Sequence, residues 1–370
     1  MTGVHEPRRI LVAMSGGVDS SVAAAMLVEA GHDVVGATMK TFCYSDTDVA
    51  ESTKTCCGLD GIQDARSVAD RLGIPHYVFD VEEEFTRDVI DDFVDEYSRG
   101  RTPNPCVRCN SNTKFRDLFR RGRILDCDGV ASGHYVRLDR SGARPRMLRG
   151  RDSSKDQSYF LWGLPAGLLD RLHFPLGDLT KPEVRDRARS LGLATADKPE
   201  SQEICFVPSG NYRDFLARKL LPTHPALAPG AIVDHHGRVV GRHTGYSGFT
   251  VGQRKGIGGG RSEPYYVLEI RPETRQVVVG PRHLLAVGGV SVGHLNWLAS
   301  PPVPGSALSV QIRYRSPAVP CTVDACSADT VTLSLPESAI AVTPGQSSVF
   351  FDGDRVVGGG RIRRVEEAPR

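Results

Sequence analysis

The chain has 370 residues, 40% hydrophobic and 24% charged, which is typical of a folded globular protein. A chain of this length exceeds one ordinary core, so we expect two or three domains. The net charge of +2 does not by itself indicate a nucleic-acid partner, and no apolar stretch of about eighteen residues predicts a membrane span. The N-terminal residues lack the apolar stretch of a signal peptide, which predicts a cytoplasmic protein with no membrane partner.

The first half of the chain alternates strand and helix patterns. Strands are predicted at "RRILVAM", "DVVGATM", "HYVFDV" and "DGVASGHYV", and helices at "SVAAAMLVEAG", "IQDARSVADRLG" and "EEEFTRDVIDDFVDEYSRG". Thr180 and Glu183 form the pattern of a capping box for a further helix. Such alternation predicts an α/β fold with a parallel sheet covered on both faces, extending over residues 1–208.

After residue 208 the sequence becomes rich in Pro and Gly, and short alternating stretches such as "YYVLEIRPETRQVVVG" and "SALSVQIRYRS" predict β-structure. We expect a small central β-rich domain over 209–285 and a C-terminal β-barrel over 286–370. His235, His236 and His243 lie in a Gly-rich turn region. They are predicted to be exposed histidines rather than a metal cluster.

The turn after the first strand, "SGGVDSS", carries the strongest chemical signal. Glycines allow a backbone to approach an anion closely, and the first N–H groups of the following helix can hold phosphate. The motif is neither a Walker A loop nor a G-x-G-x-x-G dinucleotide loop. It resembles the pyrophosphate loop of enzymes that cleave ATP between the α and β phosphates, which implies ATP and Mg²⁺ as cofactors, with Asp19 helping to place the ion.

The cysteines leave several chemistries open. The chain has nine, an odd number that argues against a disulfide scaffold. Cys106 and Cys109 form a Cys-x-x-Cys with no second copy. With Cys205 and His134 they could bind zinc, and the three cysteines alone could hold an iron–sulfur cluster. Alternatively, the cysteines act as nucleophiles.

A series of stretches in order along the chain narrows these possibilities. They are "GRTPNPCVRCNSNTKF", "ASGHYVRL", "DSSKDQSYFLW", "ESQEICFV", "GFTVGQRKGIGGG" and "VQIRYRSPAV". With the phosphate loop, they closely resemble the bacterial tRNA-specific 2-thiouridylases over essentially the whole chain. The resemblance implies an N-terminal parallel-sheet domain like the adenine nucleotide alpha-hydrolases, a small central domain and a C-terminal β-barrel that binds tRNA. It also implies ATP-dependent 2-thiolation of the wobble uridine in tRNAs for Lys, Glu and Gln.

The resemblance assigns roles to matching positions. Cys109 matches the catalytic nucleophile, and Cys205 matches the cysteine that carries a persulfide. The nucleotide site would comprise Ala13, Met14, Ser15, Gly16, Gly17, Val18, Asp19, Ser20, Met39 and Gly133. Contacts with tRNA would come from Asn104, Pro105, Cys106, Lys155, Asp156, Gln157, Arg313 and Tyr314. Cys205 is expected on a mobile loop that accepts sulfur outside and delivers it inside.

The implied partners are the anticodon arm of tRNA and a protein that donates persulfide sulfur, and we expect a monomer. Two groups of arginines, one over 137–151 and one over 313–364, suit phosphate backbones. Many relatives carry Asp where this chain has Cys106, so its role is the least defined. Three alternatives stay open: the same reaction with an iron–sulfur cluster, a ligase or amidotransferase acting on a small carboxylate, and a non-catalytic RNA-binding module.

Overall fold

The computed structural model describes residues 7–41, 59–199, 204–207, 210–258 and 263–367. Its strands are β1 Arg9–Ala13, β2 Asp33–Lys40, β3 His76–Asp80, β4 Gly129–Ser132, β5 Val136–Asp139, β6 Arg146–Arg149, β7 Leu172–His173, β8 Gly230–Asp234, β9 Val239–His243, β10 Tyr265–Arg271, β11 Gln276–Pro281, β12 Ala286–Trp297, β13 Ala307–Gln311, β14 Val319–Cys326, β15 Thr330–Ile340, β16 Ser347–Asp352 and β17 Arg355–Glu367. Its α-helices are α1 Val18–Glu29, α2 Leu59–Leu72, α3 Glu82–Phe85, α4 Asp91–Ser98, α5 Pro105–Arg108, α6 Phe115–Ile124, α7 Lys181–Ser190 and α8 Tyr212–Lys219. Two π-helices, Thr86–Ile90 and Cys109–Lys114, join α3 to α4 and α5 to α6. Cys43, Cys56 and Cys57 lie outside the described residues.

The chain divides into two compact units. The first is drawn from residues 1–89, 106–210 and 354–356, and the second from 90–105, 211–353 and 357–370. Among the residues that the structure describes, no helix is long and apolar enough to cross a membrane.

The first unit contains a parallel five-stranded sheet in the order β3-β2-β1-β4-β7. The central strand β1 is buried from Ile10 to Ala13, because helices cover both faces of such a sheet. Alanines on α1 allow this helix to pack closely in a core shared with α2 and α7, where Val68 and Val184 are buried. The α/β fold expected from the alternating pattern is confirmed.

Local signals in the sequence set several helix ends. Gly31 and Gly73 follow α1 and α2 with φ of 81° and 67°, a conformation that glycine adopts without strain. The Thr180–Glu183 capping box is present at the start of α7, which confirms that prediction. In the helix predicted at "EEEFTRDVIDDFVDEYSRG", Phe85 and Phe93 are buried, although a π-helical turn interrupts the α-helix between them.

The second unit contains two β-structures. The smaller is a four-stranded sheet in the order β10-β11-β8-β9, with its own core around Ile232, Val267 and Val277. The larger is a six-stranded barrel, β12-β15-β14-β13-β16-β17, closed by pairing of β12 with β17. Alternate residues of its strands point inward and form a core that includes Val310 and Phe350. The predicted barrel is therefore confirmed.

The prediction for the three histidines is wrong in part. His235 and His236 are exposed, as expected. His243 is buried at the end of β9, where its ring packs against Phe249 and its Nε2 lies 3.1 Å from the carbonyl oxygen of Arg275. The Gly-rich pattern of the segment did not reveal that this strand end turns inward.

Candidate active site

A cavity of about 250 Å³ opens at the carboxyl ends of β1, β2 and β4 in the first unit. This edge of a parallel sheet is where open α/β folds bind ligands. The lining residues are Ala13, Met14, Ser15, Asp19, Ser20, Ala37, Thr38, Met39, Thr41, Phe85, Cys109, Lys114, Ser132, Gly133, His134, Gln157 and Cys205. Ten of the residues predicted for the site are among them: Ala13, Met14, Ser15, Asp19, Ser20, Met39, Cys109, Gly133, Gln157 and Cys205.

The phosphate loop turns between β1 and α1 with its glycines in two different roles. Gly16 has φ of 69°, and a side chain there would lie 2.2 Å from the carbonyl oxygen of Gly61. Gly17 is the N-cap of α1 and supplies no capping side chain. The Ser20 and Ser21 hydroxyls donate to the carbonyl oxygen of Gly17 at 3.1 and 2.9 Å. These two bonds stabilise the turn. The first N–H groups of α1 therefore have no side-chain cap, an arrangement suited to an anion.

Asp19, in the first turn of α1, is held by two groups from elsewhere in the unit. Lys181 Nζ lies 2.8 Å from each carboxylate oxygen, and the Tyr135 hydroxyl donates to Oδ1 at 2.7 Å. Lys181 is the first residue of α7 and is 7% exposed. Neither Lys181 nor Tyr135 was predicted from the sequence, because their proximity to Asp19 depends on the tertiary fold.

The turn after β4 also lines the cavity. Gly133 lies against the first turn of α1, where an added Cβ would be 2.7 Å from Asp19 C and Ser20 N. The His134 ring bonds to the Ser132 hydroxyl at 2.7 Å and contacts the rings of Phe115 and Phe174. Loss of hydration and the nearby Lys114 ammonium hold the pKa of His134 well below its usual value, so its imidazole is neutral at pH 7.

Cys109 and Cys205 line the same cavity, although 96 positions separate them in the sequence. Cys109 begins the π-helix Cys109–Lys114, an irregularity often found at functional sites. Phe206, next to Cys205, packs edge-on against Phe85 with 5.8 Å between ring centroids. Cys106 is exposed and does not line the cavity. Within the described ranges, no group of three or more His, Cys, Asp or Glu side chains could hold a metal ion.

The segment predicted to meet the target base lies partly in the second unit. Before Asn104 and Pro105, the Gln346 side-chain amide donates to the carbonyl oxygens of Thr102 and Pro103, each at 3.0 Å. Gly345, with φ of 93°, allows this close approach, since a Cβ there would lie 2.9 Å from Thr102 O. The barrel of the same unit therefore fixes the position of the backbone that leads to Asn104.

Arg313 and Tyr314 lie after β13, also in the second unit. The side-chain amide of Gln311, at the end of β13, donates to their carbonyl oxygens at 3.2 and 2.7 Å. Gln311 is itself buried. These bonds hold the backbone of the turn that carries both predicted tRNA contacts.

The Lys155–Gln157 motif contains three residues in three different settings. Lys155 is half-buried and ends the turn that precedes Asp156. The Asp156 carboxylate accepts four hydrogen bonds from its own unit: from Arg149 Nη1, Gly150 N, Ser158 N and Ser158 Oγ, at 2.8 to 3.1 Å. Gln157 lines the cavity, and its Oε1 accepts from Tyr135 N at 2.9 Å. Asp156 therefore organises the turn that presents its two neighbours.

The arginines of the first basic group are largely engaged within the unit. Arg146 and Arg149 pair with Asp139 and Asp156, and three more bond to other groups of the unit: Arg137 to Asp354, Arg140 to carbonyl oxygens including Leu172, and Arg151 to Glu183. Their charge is therefore less available to a phosphate backbone than the sequence suggests.

Six lining residues were not predicted: Ala37, Thr38, Thr41, Phe85, Lys114 and Ser132. Phe85 is fully buried, so it packs in the core as well. His134 was considered only as a zinc ligand. Thr38 donates to Met14 O at 2.7 Å and bonds to His76 Nε2 at 2.8 Å, so it supports the loop from the neighbouring strand. Position at the carboxyl end of a strand was the signal that could have identified most of these residues.

Three family models match consecutive parts of the chain. The "tRNA methyl transferase HUP domain" matches residues 8–209, the "tRNA methyl transferase PRC-barrel domain" matches 213–281, and the "Aminomethyltransferase beta-barrel domain" matches 287–362. Among curated proteins, the tRNA-specific 2-thiouridylase MnmA of Rhodospirillum centenum is 49% identical over 98% of this chain and 93% of its own length. That of Geobacter metallireducens is also 49% identical, over 96% of both chains.

The chain belongs to the tRNA-specific 2-thiouridylase family. A solved 4-thiouridine synthetase–RNA complex with bound ATP matches with a TM-score of 0.35 and 16% identity, over 59% of this chain and 51% of that one. A match this weak carries no weight here. The family assignment rests on the curated 2-thiouridylases, which match nearly the full length of the chain.

Proposed function

We infer that this 2-thiouridylase family member catalyses the ATP-dependent 2-thiolation of the wobble uridine of tRNA, with tRNAs for Lys, Glu and Gln as substrates. The observation that carries this conclusion is a single cavity lined both by the phosphate loop and by Cys109 and Cys205. Nucleotide activation and sulfur transfer need such a common space. Two of the matching models are described as methyl transferase domains, but two sulfur nucleophiles beside a phosphate loop fit thiolation better.

In the first half-reaction, the uridine 2-carbonyl oxygen attacks the α-phosphorus of ATP, the bond from that phosphorus to the bridging oxygen breaks, and pyrophosphate leaves. The base then carries AMP on O2, a good leaving group. Loop residues Ala13 to Ser20, with Met39 and Gly133, are proposed to hold ATP. The uncapped start of α1 supplies N–H donors for its phosphates.

In the second half-reaction, Cys205 carries a persulfide received from a donor protein. The Cys109 thiolate attacks the Cys205 sulfur, and a Cys109–Cys205 disulfide forms as hydrosulfide leaves. Hydrosulfide adds to C2 of the uridine and displaces AMP. Direct attack of the persulfide on C2, followed by disulfide formation, gives the same products. An external dithiol must then reduce the disulfide. Cys205 is proposed to move with its loop between donor and cavity.

The remaining site assignments are proposals about tRNA. Asn104, Pro105 and Cys106 are proposed to meet the flipped base, and Lys155, Gln157, Arg313 and Tyr314 to position the anticodon arm, because a base must leave its stack to reach such a cavity. Asp156 would act through the turn that it organises. We propose a monomeric cytoplasmic enzyme with domains at 1–208, 209–285 and 286–370, and the ranges of the three matching models support that division.

The described residues fit Mg²⁺ only as a companion of ATP. Asp19 is the one carboxylate lining the cavity in the described part of the chain, and both its oxygens are engaged by Lys181. Magnesium commonly binds through one or two carboxylates together with substrate phosphates, where it neutralises phosphate charge. Asp19 would then be its protein ligand.

Two alternatives are less well supported. An iron–sulfur cluster would need three cysteines together, but Cys106 is exposed and does not line the cavity that holds Cys109 and Cys205. A ligase acting on a small carboxylate would leave those two cavity cysteines without a role. The persulfide route accounts for both cysteines.

The deciding experiment is mass spectrometry of tRNA nucleosides after reaction of the wild type, Cys109→Ser and Cys205→Ser with ATP, unmodified tRNA and a persulfide donor. We expect 2-thiouridine from the wild type only. Pyrophosphate release should persist in both variants, since adenylation precedes sulfur transfer. Cys326→Ser, which removes a half-buried thiol from the barrel, is the matched control and should behave as wild type. Undiminished 2-thiouridine in both cavity variants would overturn the mechanism. Full activity of Cys106→Asp would rule out Cys106 as a required cluster ligand.

A further inference from the structure

Arg361 of β17 belongs by sequence to the second group of arginines, yet its guanidinium is turned into the second unit. Its side chain is 19% exposed and reaches two carboxylates of α4. Nη2 lies 3.1 and 3.0 Å from the two oxygens of Asp92, and Nη1 lies 3.2 Å from Oε1 of Glu96. Residues four apart lie on one face of a helix, so one planar guanidinium can bridge both carboxylates. The charge of Arg361 is therefore used inside the unit.

Glu96 is the centre of this network and is 2% exposed. Its Oε1 also bonds to Nη2 of Arg101, which stands three residues before Asn104. Its backbone carbonyl oxygen accepts from Arg101 N at 2.9 Å. Its Oε2 lies against Gly345, where an added Cβ would be 3.0 Å away. Glu96 therefore joins α4 to the segment that follows it and to β17.

The backbone of that segment is held from the same strand. Thr102 N donates to the carbonyl oxygen of Pro344 at 2.9 Å. Gly345, the next residue of that turn, donates to the carbonyl oxygen of Ile362 at 2.9 Å, and Ile362 directly follows Arg361 in β17. Side-chain bonds and backbone bonds from one part of β17 thus fix the segment that leads to the residues proposed to meet the base.

A buried ionic network of this kind fixes a position more than it adds stability. Its charged groups lose their hydration, so the net gain over apolar side chains is small, whereas the directed bonds of a guanidinium allow few arrangements. The target uridine must be held accurately, because a misplacement of about 1 Å can slow a reaction by about 100-fold. The segment that contacts the base must then be held with the same accuracy.

We propose that Arg361 is a positioning residue for the target uridine: by bridging the two carboxylates of α4, it fixes the segment that presents Asn104 and Pro105 to the base. This inference rests on the proposed function, which places the base against this segment. It gives Arg361 a role in the rates of adenylation and sulfur transfer rather than in the binding of tRNA phosphates.

The test compares the wild type with Arg361→Met in single turnovers with ATP, a persulfide donor and saturating unmodified tRNA for Lys. The rates of pyrophosphate release and of 2-thiouridine formation should both fall about 10- to 100-fold, because the same misplaced base undergoes both steps. The dissociation constant of the tRNA should change less than about threefold, because phosphate contacts supply most of the affinity for nucleic acid. That of ATP should change less than about twofold, since other residues line the cavity.

Glu96→Gln, which keeps the shape of the side chain, is the second test and should slow both steps as well. The double variant with Arg361→Met should be less than about threefold slower than Arg361→Met alone, because both substitutions break one network. If circular dichroism shows that Arg361→Met does not fold, the rates of Glu96→Gln decide.

Arg238→Met is the matched control, because it removes an arginine from Asp234, a 3% exposed carboxylate in the four-stranded sheet of the same unit. Both rates should stay within about twofold of the wild type. Wild-type rates in a folded network variant, an equal loss in Arg238→Met, or a loss of tRNA affinity that accounts for the slower rates would each overturn the proposal. If the wild type itself forms no 2-thiouridine, the proposed function fails instead, so the two failures are distinguishable.

Discussion

Replacing Gly133 by alanine is expected to lower the melting temperature of the unliganded protein. The new Cβ would lie 2.7 Å from both Asp19 C and Ser20 N, whereas ordinary contacts are 3.4–4 Å. Because these atoms belong to the backbone of α1, they cannot move aside as a flexible side chain does. Overpacking of this kind costs about 2 kcal/mol, which corresponds to a fall of roughly 5 °C for a domain of this size.

Gly17→Ala, at the N-cap of α1, is the control. Its φ of −99° suits any residue, and the nearest atom to an added Cβ is Ser15 Oγ at 3.6 Å. Alanine is a weaker N-cap than glycine but restricts the unfolded chain, so the two effects nearly cancel and stability should change by less than about 0.5 kcal/mol. The sequence motif alone would predict that Gly17 is more sensitive to substitution than Gly133, since Gly17 belongs to the phosphate loop.

The assay is differential scanning calorimetry without nucleotide, with circular dichroism to confirm that both variants are folded. Omitting nucleotide separates packing from any clash between a new methyl group and bound phosphate. If Gly133→Ala has the melting temperature of the wild type, or if Gly17→Ala is destabilised equally, then the close approach of the β4 turn to α1 does not exclude a methyl group at position 133.

Three further outcomes are expected. Asp156→Ala should lower the free energy of unfolding by about 3 kcal/mol in urea titrations without tRNA, because it leaves the Arg149 guanidinium without its carboxylate. If the variant is as stable as the wild type, Asp156 would instead serve tRNA contact alone. Burial lowers the pKa of His243 below 6.5, so the unfolded chain binds the proton more readily and the stability of the folded protein falls as the pH drops below 6.5. Between about pH 7.5 and about pH 5.5, the melting temperature of His243→Gln should therefore fall less than that of the wild type. The same fall in both proteins would contradict this. Burial raises the pKa of Cys321 to about 12, so peptide mapping should find this thiol unmodified by iodoacetamide at pH 8 until the protein is denatured, and rapid labelling of native protein would refute it.

The order of elements in the first unit follows from local patterns. Apolar strand runs such as Ile10–Ala13 are short-range signals, as are the glycines that end helices and the Thr180–Glu183 box. For this reason the parallel sheet and most element positions could be predicted. The π-helical turns could not, because residues at helical spacing read as one continuous helix whether or not a turn is widened.

Residue types and motifs in the sequence were enough to predict the phosphate loop and the two cysteines that share the cavity. The order of the motifs along the chain was enough to indicate the family. Tertiary structure alone decided which side chains surround them: Lys181 and Tyr135 on Asp19, His76 behind Thr38, Arg149 on Asp156 and Gln346 on the Thr102–Pro103 backbone. The physical reason is sequence separation. A loop or a capping box needs only neighbours within a few residues, whereas Lys181 meets Asp19 across 162 positions and only after the sheet has brought their helices together.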